Sequence, residues 1–294
     1  MRDPPMYIAC CQFDIAWENK VANFEKVRDL VTAAKLPAGS LLLLPEMFAT
    51  GFSMNVEAIH EGPTPESLRL LSERGFQGRC TRPFATETYL STLAKERAIS
   101  VLGGLVKATL YELPAKADVP EPLFKGVNQA VAFGPDGGQI ARYTKLHPFS
   151  YAGETEHYES GEEVVTFPWG GFTVAPFICY DLRFPEAFRK ATLRGSQLFC
   201  VIANWPKRRE AHWLTLLKAR AIENQAYVAA VNRCGSDPQL EYGGRSLIID
   251  PRGEVLADAG DKEGVIGAEL DLQSLLEYRK EFPALKDIRE GFGL

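Results

Sequence analysis

The chain lacks most of what would tie it to a membrane, a metal or a nucleic acid. No stretch approaches the about 18 apolar residues in a row that a membrane helix needs. Cysteine is scarce, with six among 294 residues, and Cys10 and Cys11 are neighbours in a strand-like run. Their side chains would face opposite sides of that strand. A disulfide framework is therefore not expected, and a reducing cytoplasm fits. Histidine is scarcer still: His60, His147, His157 and His212 form no HExxH, and no CxxC pair occurs. Neither a metal nor another cofactor is expected. Positive charge is in deficit, 33 Lys plus Arg against 38 Asp plus Glu, and no basic stripe interrupts it. A nucleic-acid partner is accordingly not expected. The basic cluster KRRE at 207–210 is short and suits a small anionic substrate better. Long polar repeats are missing too, so residues 1–294 read as one domain without a linker. Asp3, Pro4 and Pro5 stand where a secretion signal would need an apolar core, which again favours the cytoplasm.

What is present is an alternation of strand and helix patterns. YIACCQFDI (7–15) reads as a strand. Residues 19–35 carry Val21, Phe24, Val27, Leu30, Val31 and Ala34 at helical spacing. SLLLLPE (40–46) is a short apolar run stopped by Pro45, the pattern of a strand buried on both faces. A second helix is predicted over about 84–98, followed by the strand ISVLGGLV. AVAFGPDGGQIARY (130–143) and RSLIIDPRGEVLAD (245–258) each join two strands through a Pro/Asp/Gly turn and predict hairpins. Further strands, FTVAPFICYD, QLFCVIANWP and YVAAVNRC, alternate with helices from Pro185 and from about Arg209. Alternation argues for an α/β fold, and the hairpins argue for mixed rather than purely parallel sheets. Periodicity fades over 71–86, which reads as a surface loop or lid.

Buried strands in α/β proteins tend to present chemistry at their ends. LLLLPE delivers Glu46 there, YTKLHPF delivers Lys145, and FICYD delivers Cys179. Singly, each has an ordinary reading: a strand-end cap, a solvated lysine, an inert core thiol. Together they make a workable hydrolase. A thiol attacks well only when a base takes its proton. Glu46, desolvated among leucines, can be that base, and Lys145 both compensates the buried negative charge and faces the oxygen that becomes negative. The backbone N–H of Tyr180 is the candidate second oxyanion donor. A cysteine peptidase would want a histidine base, and the sequence supplies a glutamate in that place.

At these residues the sequence resembles the nitrilase superfamily of carbon–nitrogen hydrolases. LLLLPEMFATGF around Glu46, YTKLHPF around Lys145 and ICYDLRFPE around Cys179 look like its three signatures, in its order. The likeness runs from QFD at 12–14 to VIGAELDL at 265–272, and ANWPKRREAHW and KARAIENQAYVAAVNRCGSD look like the bacterial omega-amidase branch. The resemblance implies an α/β four-layer α-β-β-α sandwich of two mixed sheets, assembled as a homodimer or a higher homo-oligomer. It implies a Glu–Lys–Cys amidase taking ammonia from a 2-oxoglutaramate-like or 2-oxosuccinamate-like substrate through a thioester, with Glu154 as a fourth catalytic residue and Glu156 as its rival. The departures are 74–86 and 110–124, which look longer than the family's usual connections. A nitrilase, an N-carbamoyl amino acid hydrolase, or a non-catalytic carboxylate-binding scaffold are the alternatives.

The substrate so implied is a small amide carrying one carboxylate, which calls for an arginine or a set of N–H donors. Arg183, Arg208, Arg209 and Arg233 lie near predicted strand ends and are the candidates, each with an ordinary reading as a surface charge. Phe48, Trp205 and Trp213 are candidate pocket walls, equally suited to plain packing. His147 and His212 are expected to orient loops rather than to catalyse.

Overall fold

A computed structural model describes residues 6–62, 85–110 and 124–289. Most of the two extra segments singled out above, 71–86 and 110–124, lies outside the described residues.

The strand β1 (Met6–Gln12) sets the frame. Its adjacent cysteines part company as the pleat requires, Cys10 among the side chains between the sheets and Cys11 against the outer helices. Helix α1 (Lys20–Ala34) begins where the Asn19 side chain accepts from the Ala22 N–H. Val27 and Val31 carry its buried face, but Val21 is 66% exposed. Asn23 takes the buried place near the helix start, because its amide satisfies the Ala16 N–H and the carbonyls of Ala16 and Ala49. Strand β2 (Leu41–Leu43) is buried on both faces: Leu41 and Leu43 face the second sheet, and Leu42 packs with the helices.

After the short helix α2 (Val56–Ile59) come α3 (Ala85–Arg97), β3 (Ser100–Leu110) and the hairpin of β4 (Phe124–Phe133) with β5 (Gln139–Thr144). Helix α4 (Glu154–His157) leads into β6 (Tyr158–Glu159), which pairs with β4. The second sheet uses β7 (Phe167–Trp169), β8 (Phe172–Ile178), β9 (Leu198–Ala203) and β10 (Tyr227–Asn232). Helices α5 (Pro185–Leu193) and α6 (Glu210–Asn224) alternate with them. A ribbon of β11 (Cys234–Ser236) and β12 (Glu241–Gly243) stands apart from both sheets. The predicted hairpin of β13 (Leu247–Ile249) and β14 (Val255–Asp258) extends the second sheet, and β15 (Gly264–Leu270) returns to β1 before α7 (Leu272–Glu281).

The first sheet runs β15-β1-β2-β3-β4-β5 and the second β14-β13-β10-β9-β8-β7, each mixing parallel and antiparallel pairs. β1 packs across on β10 and β4 on β8. Leu90, Leu93 and Ala94 of α3 join α1 on the outer face of the first sheet. On the other side Phe188 of α5 stacks on Phe177 at 3.9 Å and meets Phe199 edge-on. The result is helix, sheet, sheet, helix: the mixed sheets follow from the alternating pattern and its hairpins, and the four layers are those the family resemblance implies.

The closed interface between layers has a consequence for pH. Burial pushes the thiols of Cys10, Cys11 and Cys200 well above their ordinary value of 9.0. In the unfolded chain these thiols ionise above that value, whereas the folded chain keeps its protons, so stability falls as pH rises. Between pH 8 and 10 the three together remove about 4 kcal/mol. Urea midpoints at the two pH values check this, and a Cys200→Ala variant should show a shallower loss than the unsubstituted chain.

Candidate active site

Glu46 owes its place to the end of β2. The ladder continues one residue further through Leu44 N–H to the Leu102 carbonyl (2.8 Å), and Pro45 then stops it. Met47 turns the chain with a left-handed φ of 44°. The turn lies so close to β3 that a Cβ on Gly104 would sit 2.4 Å from the Met47 nitrogen, so that position has to be glycine. Glu46 is wholly buried, yet its surroundings are not only leucine. Its Oε1 accepts from Asn128 Nδ2 (2.7 Å) and Lys145 Nζ (2.9 Å), and its Oε2 accepts from the Asn204 N–H (2.9 Å).

Lys145 follows β5 directly, and its N–H donates to the Asn128 carbonyl at 2.9 Å. With no exposed surface, its ammonium bridges Glu46 and both oxygens of Glu154, at 3.0 and 2.8 Å. Glu154 opens α4 and is equally buried, held also by the Phe149 N–H (2.5 Å) and Asn128 Nδ2 (3.0 Å). Glu156, its rival by sequence, is exposed. Burial alone would lower the lysine's pKa, but the Glu154 and Glu46 charges outweigh it and hold the ammonium above its ordinary range. Burial raises the Glu154 carboxyl, partly opposed by Lys145. Two carboxylates thus share one fixed cation, and none of the three has exposed surface.

Cys179 lies where β8 ends and a single turn of 3₁₀ helix, Cys179–Arg183, begins. Its φ of 47° is left-handed, a strained conformation for a residue with a side chain, and strain of this kind gathers at working sites. Asp181 pins the turn. One of its oxygens accepts from the Ile178 N–H (3.0 Å) and the Tyr143 hydroxyl (2.7 Å), the other from the N–H and Nδ1 of His147. Since His147 is two residues beyond Lys145, one buried carboxylate ties the cysteine's turn to the lysine's strand. Burial and then the Glu46 charge push the thiol well above its ordinary pKa, opposed by Lys145 and the Asn204 N–H. At rest the sulfur therefore carries its proton.

Cys179 and Lys145 both line a cavity of about 220 Å³. Tyr180, Trp205, Arg183, Arg208 and Arg209 line it as well, together with Phe149 and Tyr151. Three predicted pocket residues, Arg233, Phe48 and Trp213, do not line it. Arg233 is fully buried and outside the cavity lining. Its Nε and Nη2 donate to Asp14 Oδ1 (2.6 Å) and to the carbonyls of Ile15, Cys234 and Ser236, its Nη1 has no hydrogen-bond partner among the described residues, and its guanidinium lies over the Tyr242 ring. Away from the cavity it is a strut, not a receptor for the substrate's carboxylate. Phe48 faces α1 and α3, with its ring beside Phe24 and Tyr89 in the outer core. The left-handed turn at Met47 sends it to the face opposite the second sheet. Trp213 supports Trp205 from behind at 5.5 Å and donates to the Arg245 carbonyl. His147 stacks on Phe184, and exposed His212 meets Arg183.

Sequence reasoning missed the neutral polar residues that organise the charges. Asn128 bridges the two carboxylates, and Asn204 holds Glu46 through its N–H and, via Nδ2, through the Glu46 carbonyl (2.6 Å). Asn204 was within reach of the pattern, since it follows the apolar run LFCVIA as Glu46 follows LLLL. Asp181, two residues after Cys179, was too. Asn128 sits inside β4 and gave no signal.

Comparison with known proteins agrees over nearly the whole chain. Residues 7–280 match the carbon–nitrogen hydrolase family. The 2-oxoglutaramate amidase of Bacillus subtilis (strain 168) is 35% identical over 283 residues, covering 96% of this chain and 97% of that protein. Omega-amidase YafV of Escherichia coli (strain K12) is 34% identical over 293 residues, covering 98% of each. Among solved structures, XC1258 of Xanthomonas campestris, a CN-hydrolase superfamily protein with an arsenic adduct in its active site, superposes with a TM-score of 0.79. It is 29% identical and covers 97% of this chain and 98% of its own. No described helix is long and apolar enough to cross a membrane.

Proposed function

The chain belongs to the carbon–nitrogen hydrolase family and is an amidase, and from that premise we propose that Cys179 is its nucleophile and a carboxylate-bearing omega-amide its substrate. The observation that carries this reading is the sealed cluster of Glu46, Lys145 and Glu154 beside a strained cysteine at the end of a cavity.

The cycle follows from the protonated thiol. As sulfur attacks the amide carbon, Glu46 takes the thiol proton, so no free thiolate has to form in a buried site. The carbonyl oxygen becomes negative and is held by the Lys145 ammonium and the Tyr180 N–H. Glu46 passes its proton to the amide nitrogen, the C–N bond breaks, and ammonia leaves a thioester on Cys179. Water then attacks the thioester, giving one proton to Glu46, and the released sulfur takes that proton back. Glu154 acts through Lys145, whose position it fixes with two hydrogen bonds.

The substrate follows from the cavity's charge and from the likeness to amidases of 2-oxoglutaramate and to omega-amidases. Three arginines in a cavity with seven aromatic walls suit a short chain with an amide at one end and a carboxylate at the other. Ammonia release over 2-oxoglutaramate, 2-oxosuccinamate, glutamine, an N-carbamoyl amino acid and a nitrile tests it. Turnover of the two oxo-amides at least about 100-fold above the rest is expected. Preferred release from the nitrile or the carbamoyl compound would replace this reading with one of those activities on the same cluster.

A further inference from the structure

Of the arginines lining the cavity, we infer that Arg209 is the one that receives the substrate's carboxylate; this rests on the carboxylate-bearing omega-amide proposed above. The three guanidinium groups differ in what already occupies them. Arg183 meets His212 Nδ1 at 3.2 Å and lies over the Trp205 ring at 4.7 Å. Arg208 is exposed to water, where a carboxylate gains least from a charge. Arg209 is partly buried, and its Nη1 is out of contact with water and has no hydrogen-bond partner.

An unsatisfied donor on a cation, withdrawn from solvent, costs free energy unless something arrives to accept from it. The rest of Arg209 is arranged to keep that donor available. Its guanidinium lies over the rings of Phe149 and Tyr151, at 5.5 and 5.3 Å. Contact with a ring uses the flat face of the group and leaves the N–H edge open to a planar carboxylate. Its backbone is fixed on both sides: the N–H donates to the Pro206 carbonyl (2.9 Å), and the carbonyl accepts from Trp205 Nε1 (2.8 Å). Arg209 also immediately precedes α6, whose unpaired N–H groups add positive potential there. Phe149, the ring beneath the guanidinium, is the residue whose N–H holds Glu154. The carboxylate receptor and the catalytic cluster thus share one support, which fixes the distance between the two ends of the substrate.

The test is a ratio: kcat/KM for ammonia release from 2-oxoglutaramate divided by that for its methyl ester, which keeps the chain and removes the charge. The ratio does not depend on the fraction of enzyme correctly folded, so a poorly folding variant does not confuse it. Arg209→Met should lower it about 100-fold, the loss of a charged hydrogen-bonded pair. Arg209→Lys should recover part of it, since a lysine restores the charge without the fork. Arg209→Met with the wild-type ratio would overturn the assignment, as would a collapse of the ratio in Arg183→Met instead. A wild-type enzyme that shows no preference for the free acid would be a different failure, since the carboxylate-bearing substrate itself would then fall.

Discussion

Cys179→Ala is expected to leave a folded protein whose ammonia release has dropped by at least about 10⁴-fold. No other described thiol can substitute for it. Among the described cysteines, Cys10, Cys11 and Cys200 have no exposed surface, Cys234 has 3%, and Cys179 alone lines the cavity. The fold should tolerate the change, because alanine removes one small buried atom and inherits the same backbone turn, still pinned by Asp181. Circular dichroism and a denaturation midpoint close to wild type would establish that. Because Cys179 alone lines the cavity and has Glu46 to take its proton during attack, iodoacetamide is expected to modify it ahead of the other described thiols, and an oxo-amide substrate to slow the modification. An alanine variant with turnover within tenfold of wild type would sink the cysteine mechanism.

Lys145→Met should damage both chemistry and stability. As an oxyanion donor the ammonium is worth about 100- to 1,000-fold in turnover. As a buried cation it is what allows Glu46 and Glu154 to sit together with no exposed surface. Without it they share little beyond the Asn128 amide, and removing one partner from a buried ionic cluster costs about 3–5 kcal/mol. One of the two carboxyls then has to bind a proton to fold. The folded variant holds a proton that its unfolded chain releases above the ordinary glutamate value of 4.5, so the penalty grows as pH rises through that range. Denaturation at pH 5 and pH 7.5 should show the gap to wild type widening. Lys145→Met/Glu154→Gln removes one of the stranded charges and should regain stability without regaining turnover. A single variant as stable as wild type at both pH values would mean that the cation is not compensating the carboxylates.

The parts legible in the sequence were those where one local signal decides. LLLLPE announced a doubly buried strand because nothing polar interrupts it, and the two hairpins announced themselves through Pro, Asp and Gly. At the opening of α1 the stripe fails at Val21, and Asn23 is buried instead, because helical spacing does not know that loop carbonyls need a buried amide there. The same limit applies at the site. Glu46, Lys145 and Cys179 each end a strand, and the strands' order brings those ends to one side. Asn128 has to be seen against the other chain segments, since only its place in β4 makes it a bridge. Arg233 and Phe48 failed for the converse reason. Both follow apolar or strand-like sequence, but the Asp14 carboxylate and a left-handed turn, neither visible in composition, sent them away from the cavity.

The backward bend of the chain at Cys179 separates what selection for folding wants from what selection for turnover wants. Glycine would relax the bend by about 1–3 kcal/mol, and most other side chains, asparagine and aspartate least, share the cysteine's discomfort. Judged by durability alone, then, this position favours a residue that has no side chain to react. With Cys179 as the proposed nucleophile, turnover and durability pull this position in opposite directions.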